Sequence, residues 1–514
     1  YSSSTNCWQS RKWKKPDLPY LWGNGKVRRH CRFLLQAIQD DREVPNAYIE
    51  SPGPMNKGTT DPAWLERLKR EPRSDKGHRI LKLLRQCEQT QWHDPEDILA
   101  TQFKQLSRLL GHAQSTIPHY AATTSHIKSG DVRSLAAGRW LDVPVLKRQT
   151  VNRLGKELLS RNIPQDHGSL NAIYTSGTTG LPVRVERTKH TLDYWSAFTT
   201  RDHIWHNRDI DGVLAAIRSS EKKFALYPKG ARHAAWGSKD GVFKTGPSLS
   251  LNVGTSIADM AEWIGRNKPD YVLAMPNIIK RLAPWCMEHG VTFDGLKEVS
   301  VIGEMCGELL RDLCQEAWQV PLHDVYSSRE VGYIALQCPV NNHYHVQAEG
   351  LYLEILDADD QPCKPGESGR VIVTTIQNYA MPLIRYEVGD YAEAGETCDC
   401  GRGLPVIKRI LGREQDILVL PGGQHSWTLL GSPDVRDFMN MAPISQYQFA
   451  HVAADKIEVR LIVKRELTDD EENNIANWVN KKFGYPFDIS FSYPQELALT
   501  KAGKFKDFIV EFRN

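Results

Sequence analysis

A run of small and hydroxylated residues, Thr175, Ser176, Gly177, Thr178, Thr179 and Gly180, stands between Ile173-Tyr174 and Leu181-Pro182. Glycines let backbone amides approach an anion, and serine and threonine hydroxyls add donors, so this spelling suits a phosphate group. No Gly-Lys-Ser/Thr follows, which excludes a Walker loop. By composition alone an ordinary polar turn fits as well. A second set is Cys338, His343, His345, Cys398 and Cys400. Thiolates and imidazole in these proportions suit Zn²⁺, although Cys-x-Cys is tighter than the common Cys-x₂-Cys, and buried thiols beside a β-turn are the competing reading. Glu330, Asp390, Arg413 and Lys504, each taken alone, read as surface charges.

These residues need elements to hold them. Over 170–385, compact apolar runs such as Tyr271-Val272-Leu273-Ala274 and Val299-Ser300-Val301-Ile302 alternate with helical stretches at 257–266 and 308–317, which is α/β layering. Ile98, Phe103, Leu106, Leu109 and Leu110 recur at helical spacing and predict a helix over 97–113, stopped at Ile117-Pro118. Residues 352–375 read as antiparallel strands around a Pro365-Gly366 turn. The last hundred residues carry a smaller α+β pattern. It has a hairpin over 447–452 and 457–463, a helix entered at Thr468 with Glu471 completing a capping box, and a last strand over 489–493. Residues 1–95, rich in Trp, Arg, Lys and Pro, read as an irregular extension with charged helical patterns at 61–73 and 78–89 that pack on the larger body.

The bulk properties narrow the function. With 65 Lys+Arg against 62 Asp+Glu in 514 residues, the net charge of +3 gives no basis for binding nucleic acid or a membrane surface, and no basic-and-aromatic stripe is evident. No run of 18 apolar residues predicts a membrane span, and the start, Tyr1-Ser2-Ser3, lacks both an initiator Met and the apolar core of a signal peptide. The expectation is a cytoplasmic protein whose sequence begins after its natural start. Ten cysteines in this length do not suggest a disulfide scaffold.

Tyr174-Thr175-Ser176-Gly177-Thr178-Thr179-Gly180-Leu181-Pro182 closely resembles the phosphate-binding signature of the adenylate-forming (ANL) superfamily. Further stretches resemble that family's later signatures, in order: Ile302-Gly303-Glu304, then Tyr326-Ser327-Ser328-Arg329-Glu330, then Arg385-Tyr386-Glu387-Val388-Gly389-Asp390, then Gly412-Arg413-Glu414-Gln415-Asp416, then Leu499-Thr500-Lys501-Ala502-Gly503-Lys504. Gln102-Phe103-Lys104-Gln105-Leu106, Leu141-Asp142-Val143-Pro144-Val145-Leu146 and Cys398-Asp399-Cys400-Gly401-Arg402 are similar to the branch containing phenylacetate–CoA ligases and capsule-biosynthesis adenylating proteins. The resemblance runs from about residue 97 to the end and leaves 1–95 unexplained.

The resemblance implies an α/β fold with a large adenylating body and β-subdomain over 96–411, and a small mobile α+β lid over 412–514. It implies an AMP-forming ligase that converts an acid and ATP to acyl-AMP and pyrophosphate. The acyl group would then pass to a thiol of CoA or a carrier protein, or to an amine in amide-forming members. A non-catalytic scaffold that keeps the nucleotide site is the rival reading. By the same resemblance, 175–180 would hold the phosphates, Glu330 Mg²⁺, Asp390 and Arg413 the ribose, and Gly303, Glu304, Tyr326, Ser327 and Ser328 the adenine slot. Lys504 would reach the α-phosphate. The branch pattern selects His345 over His343 to join Cys338, Cys398 and Cys400 around a structural Zn²⁺. Several positions depart from the family: Val183-Arg184 stands where a Lys is common, Ser327 replaces Gly, Arg329 replaces Thr/Ser, and Gln415 replaces an Asp. Trp236 and Phe243 are read as pocket-lining or core.

Overall fold

The computed structural model describes residues 62–69, 72, 74–174, 183–218, 224–236, 242–413, 418–421, 425–426, 432–497 and 506–511. The phosphate-loop residues 175–180, Gln415 and Lys504 lie outside the described residues.

Among the described residues a twelve-stranded sheet organises the chain. Its centre is parallel, as βαβ alternation requires: Ser248–Asn252, Leu214–Arg218, Tyr271–Ala274, Glu298–Ile302 and Leu322–Ser328 lie side by side in that order. Helices Ile257–Asn267, Pro276–His289 and Glu308–Trp318 connect them. At Leu322–Ser328 the chain turns back through Gly332–Gln337, and the sheet becomes antiparallel. It continues through Tyr344–Val346, Val406–Arg413, Tyr386–Ala394, Ser368–Thr374 and Tyr352–Leu356.

Each half buries its own core. The parallel strands close over Trp263, Ile264, Ile279, Leu282, Val299 and Val301. The antiparallel half is covered by the Pro95–Thr116 helix, longer at both ends than the spacing predicts, whose Phe103, Leu106, Leu109 and Leu110 are buried. Gln102 shares that buried face; its amide N–H groups donate to the Ala348 and Leu351 carbonyls at 2.8 and 2.9 Å, which satisfies its nitrogen despite burial.

A separate sheet, Asp488–Ser492, Lys456–Val463, Ile444–Ala453 and Phe508–Val510, packs with helices Ser432–Asn440 and Asp469–Phe483 around Phe438, Phe449, Ile475 and Phe483. The Thr468–Glu471 capping box is present. This unit rests on the two helices that follow the central strands: Lys464 pairs with Glu288 at 2.7 Å, Arg436 with Glu316 at 2.5 Å, and the Lys280 ammonium lies 4.7 Å from the Tyr447 ring.

The charged patterns near the start form helices Pro62–Lys69 and Asp75–Thr90. Trp64, Ile80, Leu81 and Leu84 are buried against the Lys189–Trp205 helix and Trp236. Trp236, whose indole N–H donates to the Gly212 carbonyl at 2.8 Å, and Phe243, 5.8 Å from the Trp64 ring, therefore belong to core packing rather than to a pocket.

Candidate active site and thiol cluster

The carboxyl ends of the parallel strands, where α/β sheets bind ligands, carry two of the sequence-flagged stretches, 302–304 and 326–330, and two antiparallel strands bring Asp390 and Arg413 against Tyr326. After Glu298–Ile302, Gly303 adopts a left-handed φ of +85°, which lets the chain turn off the strand. The next residue, Glu304, accepts the backbone N–H of Asn277 at 3.0 Å, and so places a carboxylate at the start of the Pro276–His289 helix, where the dipole favours it. On the neighbouring strand a bulge between Tyr326 and Ser327 re-aims the side chains before the turn at Arg329 and Glu330.

Tyr326 donates its hydroxyl to Asp390 Oδ2 at 2.8 Å, and Arg413 Nε stands 3.2 Å from Asp390 Oδ1. Asp390 and Arg413 are directly opposed on adjacent antiparallel strands, so three residues far apart in sequence share one carboxylate. Tyr326 and Asp390 are buried, and burial followed by the facing carboxylate pushes the phenol well above its usual range. Gly412 has a φ of +109°, a backbone conformation that side chains rarely adopt, although a Cβ there would meet Met305 Sδ only at an ordinary 3.6 Å.

Glu330 sits against Arg148 Nη1 at 2.5 Å. Arg148 is delivered by the segment 141–146. Leu146 bridges Tyr386, and Arg385, itself left-handed at φ +48°, donates to the Leu141 and Val143 carbonyls at 2.9 and 2.6 Å while pairing with Glu354 at 3.1 Å. Arg187, buried, donates to the Arg329 carbonyl and stacks 5.5 Å from Trp195, and burial pushes its guanidinium down to about 10. Arg184 is paired with Glu186. Arg148 and Arg187 were not flagged from sequence. Arg148 follows the branch-like 141–146 stretch by two residues, and Arg187 lies within the strand after the phosphate loop. That strand, Arg184–Thr188, pairs antiparallel with Leu170–Tyr174, whose side chains are mostly exposed rather than buried as an apolar strand would be.

A second site lies where Tyr344–Val346 meets the loop before Val406–Arg413. Ligand atoms of Cys338, His345, Cys398 and Cys400 all lie within 4.8 Å of one another. Cys338 Sγ is 3.8 Å from Cys398 Sγ, and Cys400 Sγ is 3.3 Å from His345 Nε2. His343 is not in the group; its ring stands 5.3 Å from that of His345. Hydrogen bonding by Cys338 and the nearby His345 hold the Cys400 thiol far below its ordinary range, and the same bond, with burial, raises Cys338. Three soft sulfurs and one imidazole at this spacing fit a closed tetrahedral Zn²⁺ site.

No protein-family profile matches the chain. A phenylacetate-coenzyme A ligase of Thermus thermophilus is 26% identical over 309 residues, 58% of this chain and 63% of that protein. The Escherichia coli enzyme of the same name is 24% identical over 340 residues, 64% of this chain and 74% of its own length, and protein CapK of Staphylococcus aureus is 23% identical over 257 residues, 47% of this chain and 53% of CapK. Among solved structures, 2-hydroxyisobutyryl-CoA ligase with a bound acyl-AMP superposes with a TM-score of 0.64 over 86% of this chain and 94% of that one, at 16% identity. The named relatives and the shared fold support the resemblance to the adenylate-forming superfamily. Within it, the matched relatives are phenylacetate–CoA ligases and CapK. The chain spans less than two thirds of the Thermus ligase. No helix among the described residues is long and apolar enough to cross a membrane.

Proposed function

We propose that the chain is an AMP-forming ligase: it joins a carboxylic acid to AMP with release of pyrophosphate, then passes the acyl group to a thiol, that of CoA first among acceptors. The observation that carries this reading is the convergence of the Tyr326 hydroxyl and the Arg413 guanidinium on Asp390 beside the carboxyl ends of the parallel strands. An ionised carboxylate only accepts hydrogen bonds, so Asp390, held in orientation on both oxygens, suits the two ribose hydroxyls of a nucleotide. Gly303, Glu304, Ser327 and Ser328 would flank the base, with the backbone turn at Gly303 opening room for it. Thr175, Ser176, Gly177, Thr178, Thr179 and Gly180 would hold the phosphates. Glu330 would hold Mg²⁺, which supplies positive charge to the phosphate oxygens. Arg148 keeps the Glu330 carboxylate in place, and Arg187, close behind the same turn, adds fixed positive charge where negative charge builds on phosphorus.

We read 96–411 as the body and 412–514 as a lid that carries Lys504. A lysine there supplies a flexible point charge to the acid carboxylate and the α-phosphate during the first step only. Cys338, His345, Cys398 and Cys400 would hold one Zn²⁺, pinning the β-subdomain to the central sheet with no part in the reaction. The test is pyrophosphate release across a panel of carboxylic acids, with and without CoA. Acid-dependent release that yields a thioester only when CoA is present supports the proposal. Nucleotide binding without release for any acid would leave a scaffold, and release followed by coupling to an amine rather than a thiol would replace the second step.

A further inference from the structure

Building on the zinc reading above, we propose that Arg402 and residues 91–93 form the outer shell of the thiol site, so that metal occupancy and docking of the Asp75–Thr90 helix are thermodynamically coupled. The argument begins with charge. A divalent ion held by three thiolates and a neutral imidazole carries one net negative charge, and a buried charge must be compensated. Arg402 is buried, donates from Nη1 to Cys400 Sγ at 3.6 Å, and has no carboxylate within ion-pair distance among the described residues. A guanidinium buried without a carboxylate requires some other anion. The thiol cluster is the group it donates to directly, while the Glu88 carboxylate, reached through Gln91, feels its charge from further off.

Its surroundings lead directly to the start of the chain. The guanidinium lies between two indoles, 4.7 Å from the Trp92 ring and 4.4 Å from that of Trp205, a geometry that favours a retained cation. Trp205 also meets His345 edge-on, with centroids 5.8 Å apart. Arg402 Nε donates to Gln91 Oε1 at 2.8 Å, and the Gly403 N–H donates to the Gln91 carbonyl at 2.9 Å. A Cβ at position 403 would fall 1.9 Å from the His93 carbonyl oxygen, so the two backbones meet only because that residue is glycine.

From Gln91 the contacts run back into the helix. Gln91 Nε2 donates to Glu88 at 2.8 Å and Arg201 Nε to Glu88 at 3.2 Å; Arg201 also pairs with Glu349 at 2.9 Å, to which the Thr90 hydroxyl donates at 2.7 Å. Every link is a charged, amide or hydroxyl group buried or half-buried, so each depends on its neighbour being in place. Removing the ion releases the four ligands from one fixed arrangement, so the Cys400 sulfur that Arg402 donates to is no longer pinned and the chain of contacts behind it loosens. By linkage, freeing the helix must weaken metal binding equally.

The test uses the full chain, loaded with Zn²⁺ or stripped by a chelator, in wild type, Arg402→Met and Arg402→Lys. Zinc affinity is measured by competition with a chromophoric chelator, and hydrogen exchange is followed over residues 75–93, with the 444–463 hairpin as control. Arg402→Met should weaken zinc 10- to 100-fold, as outer-shell losses do. Stripping wild type should raise exchange over 75–93 while leaving the hairpin unchanged. Arg402→Lys, keeping charge without the fork, should fall between. Wild-type zinc affinity in Arg402→Met, or exchange over 75–93 that ignores zinc, overturns the coupling alone. A folded chain that takes up no zinc overturns both the coupling and the zinc reading beneath it.

Discussion

Tyr326→Phe tests the nucleotide site through a single atom. The hydroxyl donates to Asp390 at 2.8 Å in a buried setting, whereas the Arg413 side chain on the other carboxylate oxygen is 39% exposed. A solvent-screened ion pair contributes little, so Tyr326 is the stronger holder of the carboxylate. A hydrogen bond to a charged acceptor is worth about 1.5–3 kcal/mol. If about half of that is lost in the complex rather than in the free fold, nucleotide affinity falls roughly tenfold at ~1.4 kcal/mol per decade. Isothermal titration of AMP into wild type and Tyr326→Phe measures it, and the same titration with 2′,3′-dideoxy-AMP isolates the cause: a nucleotide without the hydroxyls should bind both proteins alike. Arg413→Gln should cost less than Tyr326→Phe. Undiminished AMP affinity in Tyr326→Phe would refute the ribose role, and an equal loss with the dideoxy nucleotide would make Tyr326 a packing residue.

Glu330→Gln should cut acid-dependent pyrophosphate release roughly 10²-fold, with unchanged circular dichroism; full activity at saturating Mg²⁺ would remove Glu330 from the metal's coordination. Lys504→Ala should slow adenylate formation by a similar factor yet transfer the acyl group from a chemically made acyl-adenylate at the wild-type rate, and equal loss in both assays would refute a lid acting in one half-reaction. Asp324, buried and accepting from the Tyr344 hydroxyl at 2.7 Å, is pushed up by burial from 3.8 to about 6. Its contribution to stability is complete below about pH 3.8 and is lost as pH rises through about 6. Urea unfolding should therefore show wild type losing about 2 kcal/mol relative to Asp324→Asn between pH 4.5 and 7, and a pH-independent difference would show that Asp324 stays ionised.

Periodicity read the local elements well because they obey local rules. The helix through Phe103 and Leu110, the central strands and the Thr468–Glu471 capping box are written in residues three or four apart, or alternating, and each forms within a few residues of its expected bounds. The ordered motifs pointed to Tyr326, Asp390 and Arg413 as one site, and the fold joins them on one carboxylate. What escaped are partners set by tertiary contact. Arg148 reaches Glu330 only because Arg385, in a backbone conformation no propensity scale favours, ties down the carbonyls of Leu141 and Val143. Likewise, nothing in the charged pattern of residues 78–89 announces that Glu88 will face Arg201 across more than a hundred residues.

The thiol cluster also bears on how the chain reaches its fold. Cys338 and Cys398 are 60 positions apart, and His345 and Cys400 are 55 apart. In between lie three antiparallel strands that pair in chain order as a meander, so the long-range step is the pairing of Tyr344–Val346 with Val406–Arg413. An ion bridging those positions early acts as a reversible cross-link on the unfolded ensemble. Closing a loop of this length removes chain entropy equivalent to roughly 4 kcal/mol at 25 °C, the cost otherwise met when Tyr344–Val346 finds Val406–Arg413. The metal would then count as a folding nucleus for the antiparallel half, and refolding of stripped protein should be slower in that half than in the parallel one.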